Sequence, residues 1–342
     1  MTLPFPEPRV ARPTYGRKLL ASLSSDLFER PIVVTQPVPW SVVSGKFPSA
    51  RFQLHMVESM EHATVRDAVA SFGPAGSVFG IGGGMALDMA KYVAWKLELP
   101  LVLLPTVLSV DAAFTKAIAV REGSRVRYVG EVFPEHLLID FHTLRTAPRL
   151  LNRAGAGDVF SIFTALWDWK QAAERLGEKH SPEVAAESQK LLDRLYAGAQ
   201  ALRDATDEGL ELLSELYVGE VRLCERVGNS RPEEGSEHYV AYCHEALTGR
   251  SYVHGQLVGL GVLLAGLYQG QDVSPVHDLL RRLELDCRPG AMGTTDEEVV
   301  TTLQAMADYV KAEKQLLPGV FHFKGAPGAS EARDLLRRAV GP

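Results

Sequence analysis

Between residues 31 and 142, short apolar runs alternate with stretches of helical period. The runs are PIVV at 31–34, RFQLHMV at 51–57, SVFGI at 77–81, LVLLP at 101–105 and HLLID at 136–140, with helical segments near 61–72 and 84–97 between them. Strand, helix, strand in this rhythm predicts a parallel sheet wrapped by helices, because a parallel crossover needs a helix to return the chain. The segment AIAVREGSRVRYVGEVF at 117–133 breaks the rhythm. It alternates with period two about Glu122–Gly123–Ser124 and predicts a β-hairpin inserted into the α/β plan.

Beyond residue 143 the strand signal vanishes. ESQKLLDRLYAGAQALRDA and EGLELLSELYVGEVRLCERV repeat their apolar positions three and four apart, as a helix with one buried face does. The charge-rich stretch from 170 to 190 predicts a solvated helix pair turning between Gly177 and Pro182. The expected organisation is an α/β Rossmann-like domain over 1–150 and an all-α domain over 151–342, near the usual size of a domain each.

Composition narrows the function. The chain of 342 residues is 46% hydrophobic and 23% charged, enough to bury large cores. Its 36 Lys+Arg against 42 Asp+Glu leave a net charge of −6, without the basic excess that phosphate-backbone binding needs, so nucleic acid is not an expected partner. No run of 18 apolar residues predicts a membrane span, and MTLPFPEPRVARP lacks the apolar core of a signal peptide. Cys224, Cys243 and Cys287, odd in number and widely spaced, fit neither a disulfide framework nor a thiolate zinc site. A cytoplasmic location is expected.

Two groups of residues carry candidate chemistry. Gly80–Ile81–Gly82–Gly83–Gly84 follows an apolar run and opens a helix, so bare amides and the positive helix end face one point, where a phosphate would bind. The same glycines would also serve a plain tight turn. Thr106, Ser109 and Asp111 follow the next strand at the sheet edge where ligands of such folds bind, though Ser109 and Asp111 also suit a turn. Asp88, early in the glycine-led helix, could meet the cofactor or only the helix dipole. In the helical half, AGAGD at 154–158, GSEH at 235–238 and HGQ at 254–256 place polar residues where a helix would prefer none. Asp158, His238 and His254 make a suitable donor set for a divalent cation, while each alone could be an ordinary hydrogen-bonded side chain.

The ordered set GIGGGMALDMAK, PTVLSVDA, AGAGDVFSIFTALWDWK, GSEH and HGQLVGLG resembles the superfamily of iron-containing alcohol dehydrogenases, glycerol dehydrogenases and dehydroquinate synthases. Within it the likeness is nearest to the sn-glycerol-1-phosphate dehydrogenases. The resemblance covers about residues 30–265. It implies a dehydroquinate synthase-like fold and contact of Gly82, Gly83 and Gly84 with the pyrophosphate of NAD or NADP, with Thr106 and Ser109 nearby. It further implies Asp111 at a substrate hydroxyl and Asp158, His238 and His254 around Zn²⁺, Fe²⁺ or Ni²⁺. A homodimer or larger homo-oligomer is expected with it. The implied reaction is hydride exchange between a nicotinamide and a small polyol, or polyol phosphate, and its ketone, with Asp111 or a metal-bound water relaying the proton and His244 a second candidate for that relay.

Two departures qualify the resemblance. Gln256 stands where many relatives carry a glutamate. The loop at 109–116 differs from the Ser-His-Asp-Gly of glycerol-1-phosphate dehydrogenases and, with Lys116 beyond Asp111, is closer to dehydroquinate synthases. Asp158 is the dehydrogenase choice of acid, where the synthases use glutamate. Two other readings therefore stand beside the first: a sugar phosphate cyclase that uses its dinucleotide transiently, with Lys116 in the site, and a catalytically silent nucleotide-binding regulator.

Overall fold

The computed structural model describes residues 9–49, 51–123, 125–313 and 317–341. Among the described residues there are eight strands: β1 (Pro13–Gly16), β2 (Ile32–Thr35), β3 (Gln53–Met56), β4 (Val78–Gly82), β5 (Leu101–Pro105), β6 (Ala117–Glu122), β7 (Arg125–Glu131) and β8 (His136–Asp140). Six of them form one parallel sheet in the order β1-β8-β5-β4-β2-β3, and β6 pairs with β7 as the expected antiparallel hairpin. Ser124, placed in its turn by the sequence pattern, lies outside the described residues. β1 is the strand that periodicity missed. Four residues, PTYG, half-exposed at the sheet edge beside β8, carry too little pattern to be recognised.

Helices α1 (Pro37–Val43), α2 (His62–Ala70) and α3 (Gly84–Leu97) connect the sheet strands, and α4 (Phe141–Leu144) and α5 (Arg149–Ala154) follow the sheet. Every residue of β2, β4 and β5 is buried, as expected of parallel strands covered on both faces. The period of two sorts them. Val33, Phe79, Ile81, Val102, Leu104 and Leu138 join one core with Leu19, Leu27, Val43 and Phe47. The opposite face includes Gly80, where a Cβ would stand 2.6 Å from Ala90 Cβ of α3 and 2.8 Å from Leu103 Cδ2, so glycine permits α3 to lie close against β4.

The remaining helices are α6 (Ala156–Phe160), α7 (Ile162–Leu176), α8 (Pro182–Arg203), α9 (Asp207–Val227), α10 (Ser236–Thr248), α11 (His254–Gln269), α12 (Ser274–Leu283), α13 (Asp296–Ala312), α14 (Val320–Lys324) and α15 (Ala329–Val340). The chain forms two compact units. One comprises Arg9–Asn152 with Ala205–Val218, and the other comprises Arg153–Asp204 with the chain from Gly219 onward. In the helical unit α11 is apolar on all sides and buried nearly throughout, the mark of a central helix. No described helix is long and apolar enough to cross a membrane.

Candidate metal centre and dinucleotide-binding edge

Asp158 sits on the short α6, His238 in the first turn of α10, and His254 at the first position of α11. What brings them together is a crossing of α6 and α11 with almost no side chain between. A Cβ on Gly157 would overlap the Gly255 backbone, and one on Gly255 would overlap the Ala154 carbonyl. Each of these glycines is the immediate neighbour of a candidate ligand, which explains the AGAGD and HGQ signatures physically. Gly261 allows a similar approach between α11 and α10, where a Cβ would run into the Glu237 carbonyl. The sequence thus omits side chains at three points so that three polar ones can converge.

One ligand atom each from Asp158, His238 and His254 lies within 4.8 Å of the others. Asp158 Oδ1 is 3.2 Å from His254 Nε2 and 3.8 Å from His238 Nε2, yet it is buried without a hydrogen-bond donor among the described residues. Burial alone would raise the Asp158 carboxyl, but the two imidazoles hold it down to about 2. Burial alone would lower His238, but the neighbouring Asp158 and Glu237 carboxylates raise it well above 6.5. His238 Nδ1 lies 2.9 Å from Glu237 Oε1. With the ring neutral, that contact holds the proton on Nδ1 and turns the Nε2 lone pair toward the Asp158 oxygen. In the metal-free protein a proton on His238 relieves the facing lone pairs, and a divalent cation held by the same atoms would do so in its place. One carboxylate and two imidazoles are a suitable donor set for Zn²⁺, Fe²⁺ or Ni²⁺, with positions left for a substrate oxygen.

Around these groups lies a polar framework that sequence reasoning missed. Glu237 is fully buried. Its Oε1 also accepts the Gly235 N–H and its Oε2 the Thr164 hydroxyl at 2.6 Å. Asp168, also fully buried, accepts from Ser236 N at 2.8 Å and Val320 N at 2.9 Å, and so caps α10 and α14 from another helix. Gln256 donates its amide to the Asp286 carbonyl at 2.6 Å. A glutamate there has no proton to give, so this departure from HGE matches its own surroundings.

The glycine turn has its own geometry. β4 lies between β2 and β5, and the chain reverses its direction of travel across the sheet at β2 and β4. Open α/β sheets bind ligands beyond the carboxyl ends of the strands at such a reversal. Gly82 ends β4 at φ 154°, a conformation that favours glycine, and a Cβ there would stand 2.8 Å from Ala86 Cβ. Gly83 is the N-cap of α3 and provides no side-chain cap, so the leading amides face outward with the positive helix end. Thr106 N donates to Gly82 O at 3.0 Å, which ties the start of the next loop to the turn. That loop carries Ser109 and Asp111 and packs over the glycines, with Val110 Cγ2 3.1 Å from where a Gly84 Cβ would be. Leu108 braces it: its N–H meets Asn152 Oδ1 at 2.9 Å, and its carbonyl accepts the Tyr217 hydroxyl at 3.3 Å.

Three other candidates are engaged elsewhere. Asp88 pairs with the fully buried Lys91 at 2.7 Å, and Lys91 donates to the Thr115 and Ala117 carbonyls, fastening the hairpin to α3. Lys116 lies 3.2 Å from Glu131 at the base of the same hairpin. His244 is buried with Nδ1 2.8 Å from Thr302 Oγ1 and Nε2 3.0 Å from Thr294 Oγ1, a setting that suits a neutral ring. Burial lowers its pKa accordingly.

Comparison with known proteins agrees with this geometry. The family described as iron-containing alcohol dehydrogenase matches residues 33–148. A glycerol-1-phosphate dehydrogenase, NAD(P)⁺, of Hyperthermus butylicus is 29% identical over 304 residues, 88% of this chain and 84% of that protein. The enzyme of the same name from Sulfurisphaera tokodaii is 26% identical over 295 residues, 84% of each chain. Among solved structures, a probable glycerol dehydrogenase from Sinorhizobium meliloti 1021 superimposes with a TM-score of 0.70 at 16% identity, covering 96% of both chains. The resemblance read from the five motifs therefore extends over most of the sequence and over the fold.

Proposed function

We propose that this relative of the iron-containing alcohol dehydrogenases is a metal-dependent, NAD(P)-linked oxidoreductase that interconverts a small polyol phosphate and its ketone, with glycerol 1-phosphate and dihydroxyacetone phosphate as the pair. The observation that carries the proposal is the convergence of one buried carboxylate, Asp158, and two imidazoles, His238 and His254, on one point. The names of the relatives supply the substrate class. In the helical unit, Asp158, His238 and His254 hold the divalent cation, and when bound it supplies Lewis-acid polarisation of the substrate oxygen. In the α/β unit, the amides at Gly82, Gly83 and Gly84 and the start of α3 bind the pyrophosphate, with Thr106 and Ser109 beside them. The dinucleotide held there would supply the hydride that turns the ketone into a secondary alcohol, with one proton taken up at the oxygen. Asp111 orients a substrate hydroxyl and relays that proton. Asp88 and Lys116 secure the hairpin, and His244 links α10 to α13.

Nothing in the geometry favours the other two readings. The cyclase reading leaned on Lys116, which is paired with Glu131. A silent regulator would have no use for a buried carboxylate oxygen facing two imidazole nitrogens. We further place the protein in a reducing compartment such as the cytosol, since Cys243 and Cys287 are buried free thiols, and expect a homodimer or larger assembly from the resemblance. The test is absorbance of the reduced nicotinamide, using metal-reconstituted protein with NADH or NADPH and dihydroxyacetone phosphate, then dihydroxyacetone. Net consumption with the phosphate ester preferred is expected. Silence with both cofactors, while metal and dinucleotide are demonstrably bound, overturns the proposal.

A further inference from the structure

We propose that Glu237 is a positioning residue for the cation centre: it fixes which nitrogen of His238 is offered to the metal and supplies the second negative charge that balances a divalent ion. The inference rests on the reading of Asp158, His238 and His254 as ligands. Glu237 is fully buried, and a buried carboxylate persists only where donors satisfy it. Its donors come from three directions: the Gly235 amide and His238 Nδ1 on Oε1, and Thr164 Oγ1 of α7 on Oε2. The Thr164 hydroxyl has one proton and two acceptors in reach, Glu237 Oε2 at 2.6 Å and the Ser161 carbonyl at 3.1 Å. The shorter contact assigns the proton to Glu237. The carboxylate is thereby held in one orientation from a helix other than its own.

A helix-capping role alone does not account for this arrangement. The Gly235 contact is what a first-turn acid makes when it reaches back to the N-cap amide, and it would need neither His238 nor Thr164. The imidazole contact has a separate consequence. With Nδ1–H committed to Glu237, the neutral ring can present only Nε2, the nitrogen facing Asp158, and the nearby charge makes that nitrogen a better donor to a cation. Asp158 and Glu237 together bring two negative charges against the two positive charges of the ion, while the histidines stay neutral. Replacement by glutamine separates the two contributions. In Glu237→Gln the amide oxygen can still accept from His238 and Gly235, while its NH₂ meets Thr164 Oγ1, whose proton turns to Ser161. Geometry survives and charge is lost. Glu237→Ala loses both.

The experiment is titration of metal-free wild type, Glu237→Gln and Glu237→Ala with Co²⁺ against a chromophoric chelator. The visible spectrum of each complex and the thermal midpoint of each metal-free protein are recorded alongside. Glu237→Ala is expected to bind Co²⁺ about 10–100-fold more weakly, and Glu237→Gln to lie between it and wild type. Glu237→Gln should also shift the Co²⁺ absorption bands while melting close to wild type. Affinities of both variants within about twofold of wild type, with an unchanged spectrum, overturn the inference. So does Glu237→Gln alone with wild-type affinity and spectrum, should Glu237→Ala fail to fold. Wild type that takes no Co²⁺ overturns instead the ligand assignment beneath it, so the two failures are distinct.

Discussion

Asp158 and His238 are displaced in opposite directions because the His254 and His238 imidazoles face the Asp158 carboxylate while the Asp158 and Glu237 carboxylates face His238, and this sets how the centre answers to pH. Asp158, held at about 2 against 3.8, contributes stability to the metal-free fold above pH 3.8, lost as pH falls toward 2. His238, raised above 6.5, contributes fully below 6.5 and loses its contribution as pH rises through its folded value. The metal-free protein therefore draws on both between pH 3.8 and 6.5. A divalent cation must displace the His238 proton, so its apparent affinity should rise with pH by up to about tenfold per unit until His238 is neutral. Calorimetric titration with Zn²⁺ at neutral pH, in buffers of different ionisation enthalpy, should show about one proton released. Release of none, with an affinity flat across neutral pH, would remove His238 from the ligand set. Asp158 and His254 were readable because a polar residue beside glycine is unusual within a helical pattern, and His238 because GSEH sets polar residues together where a helix would prefer none. Glu237, Asp168 and Asn152 were not, because acids and amides on helices usually face water and only tertiary contact shows them buried.

At the scale of elements, the centre depends on α6 and α11 crossing at Gly157 and Gly255, where no room exists for even a methyl group. Gly255→Ala places its Cβ on the Ala154 carbonyl, and relief requires the helices to part. We expect about 3 kcal/mol of lost stability, the upper end of the usual range for overpacking, together with weakened metal binding through displacement of His254 and Asp158. Thermal unfolding and metal titration of the variant check both, and a variant melting like wild type with unchanged affinity would mean that the crossing is slack. Gly290→Ala, with nothing within 4 Å of the added Cβ, is the matched control. The long elements were legible for the same reason that they are stable: β4 and β5 are apolar at every position because both faces are covered, and α7 to α9 repeat their buried residues at helical spacing. The short and special ones were not. β1 owes its place to pairing with β8, and α1 begins at Pro37, one residue after β2, where the mostly apolar stretch Val38 to Val43 could equally continue a loop.

For the whole molecule, no sequence feature marks where Ala205–Val218 joins the α/β unit while the rest of α9 counts with the helices, because the helical period runs through Val218 and Gly219 unbroken. What assigns that segment is contact, such as the Tyr217 ring lying 5.2 Å from that of Phe114 and its hydroxyl bonding Leu108. Each unit carries its own ligand in the proposed function, and binding stabilises the structure that forms the site by about 2.7 kcal/mol at a hundredfold excess over Kd. Local opening then separates the two assignments. Hydrogen exchange of the metal-free protein with Zn²⁺ added should slow amides of α6, α10 and the first turns of α11, while NADH or NADPH should slow those from Gly82 to Leu87 and around Leu108. Protection by Zn²⁺ that falls only on the glycine turn, or protection by dinucleotide that falls only on α10 and α11, would reverse the assignment of ligands to units. A matched pattern would leave Asp111, on the loop that the dinucleotide should order, as the residue to test next in turnover.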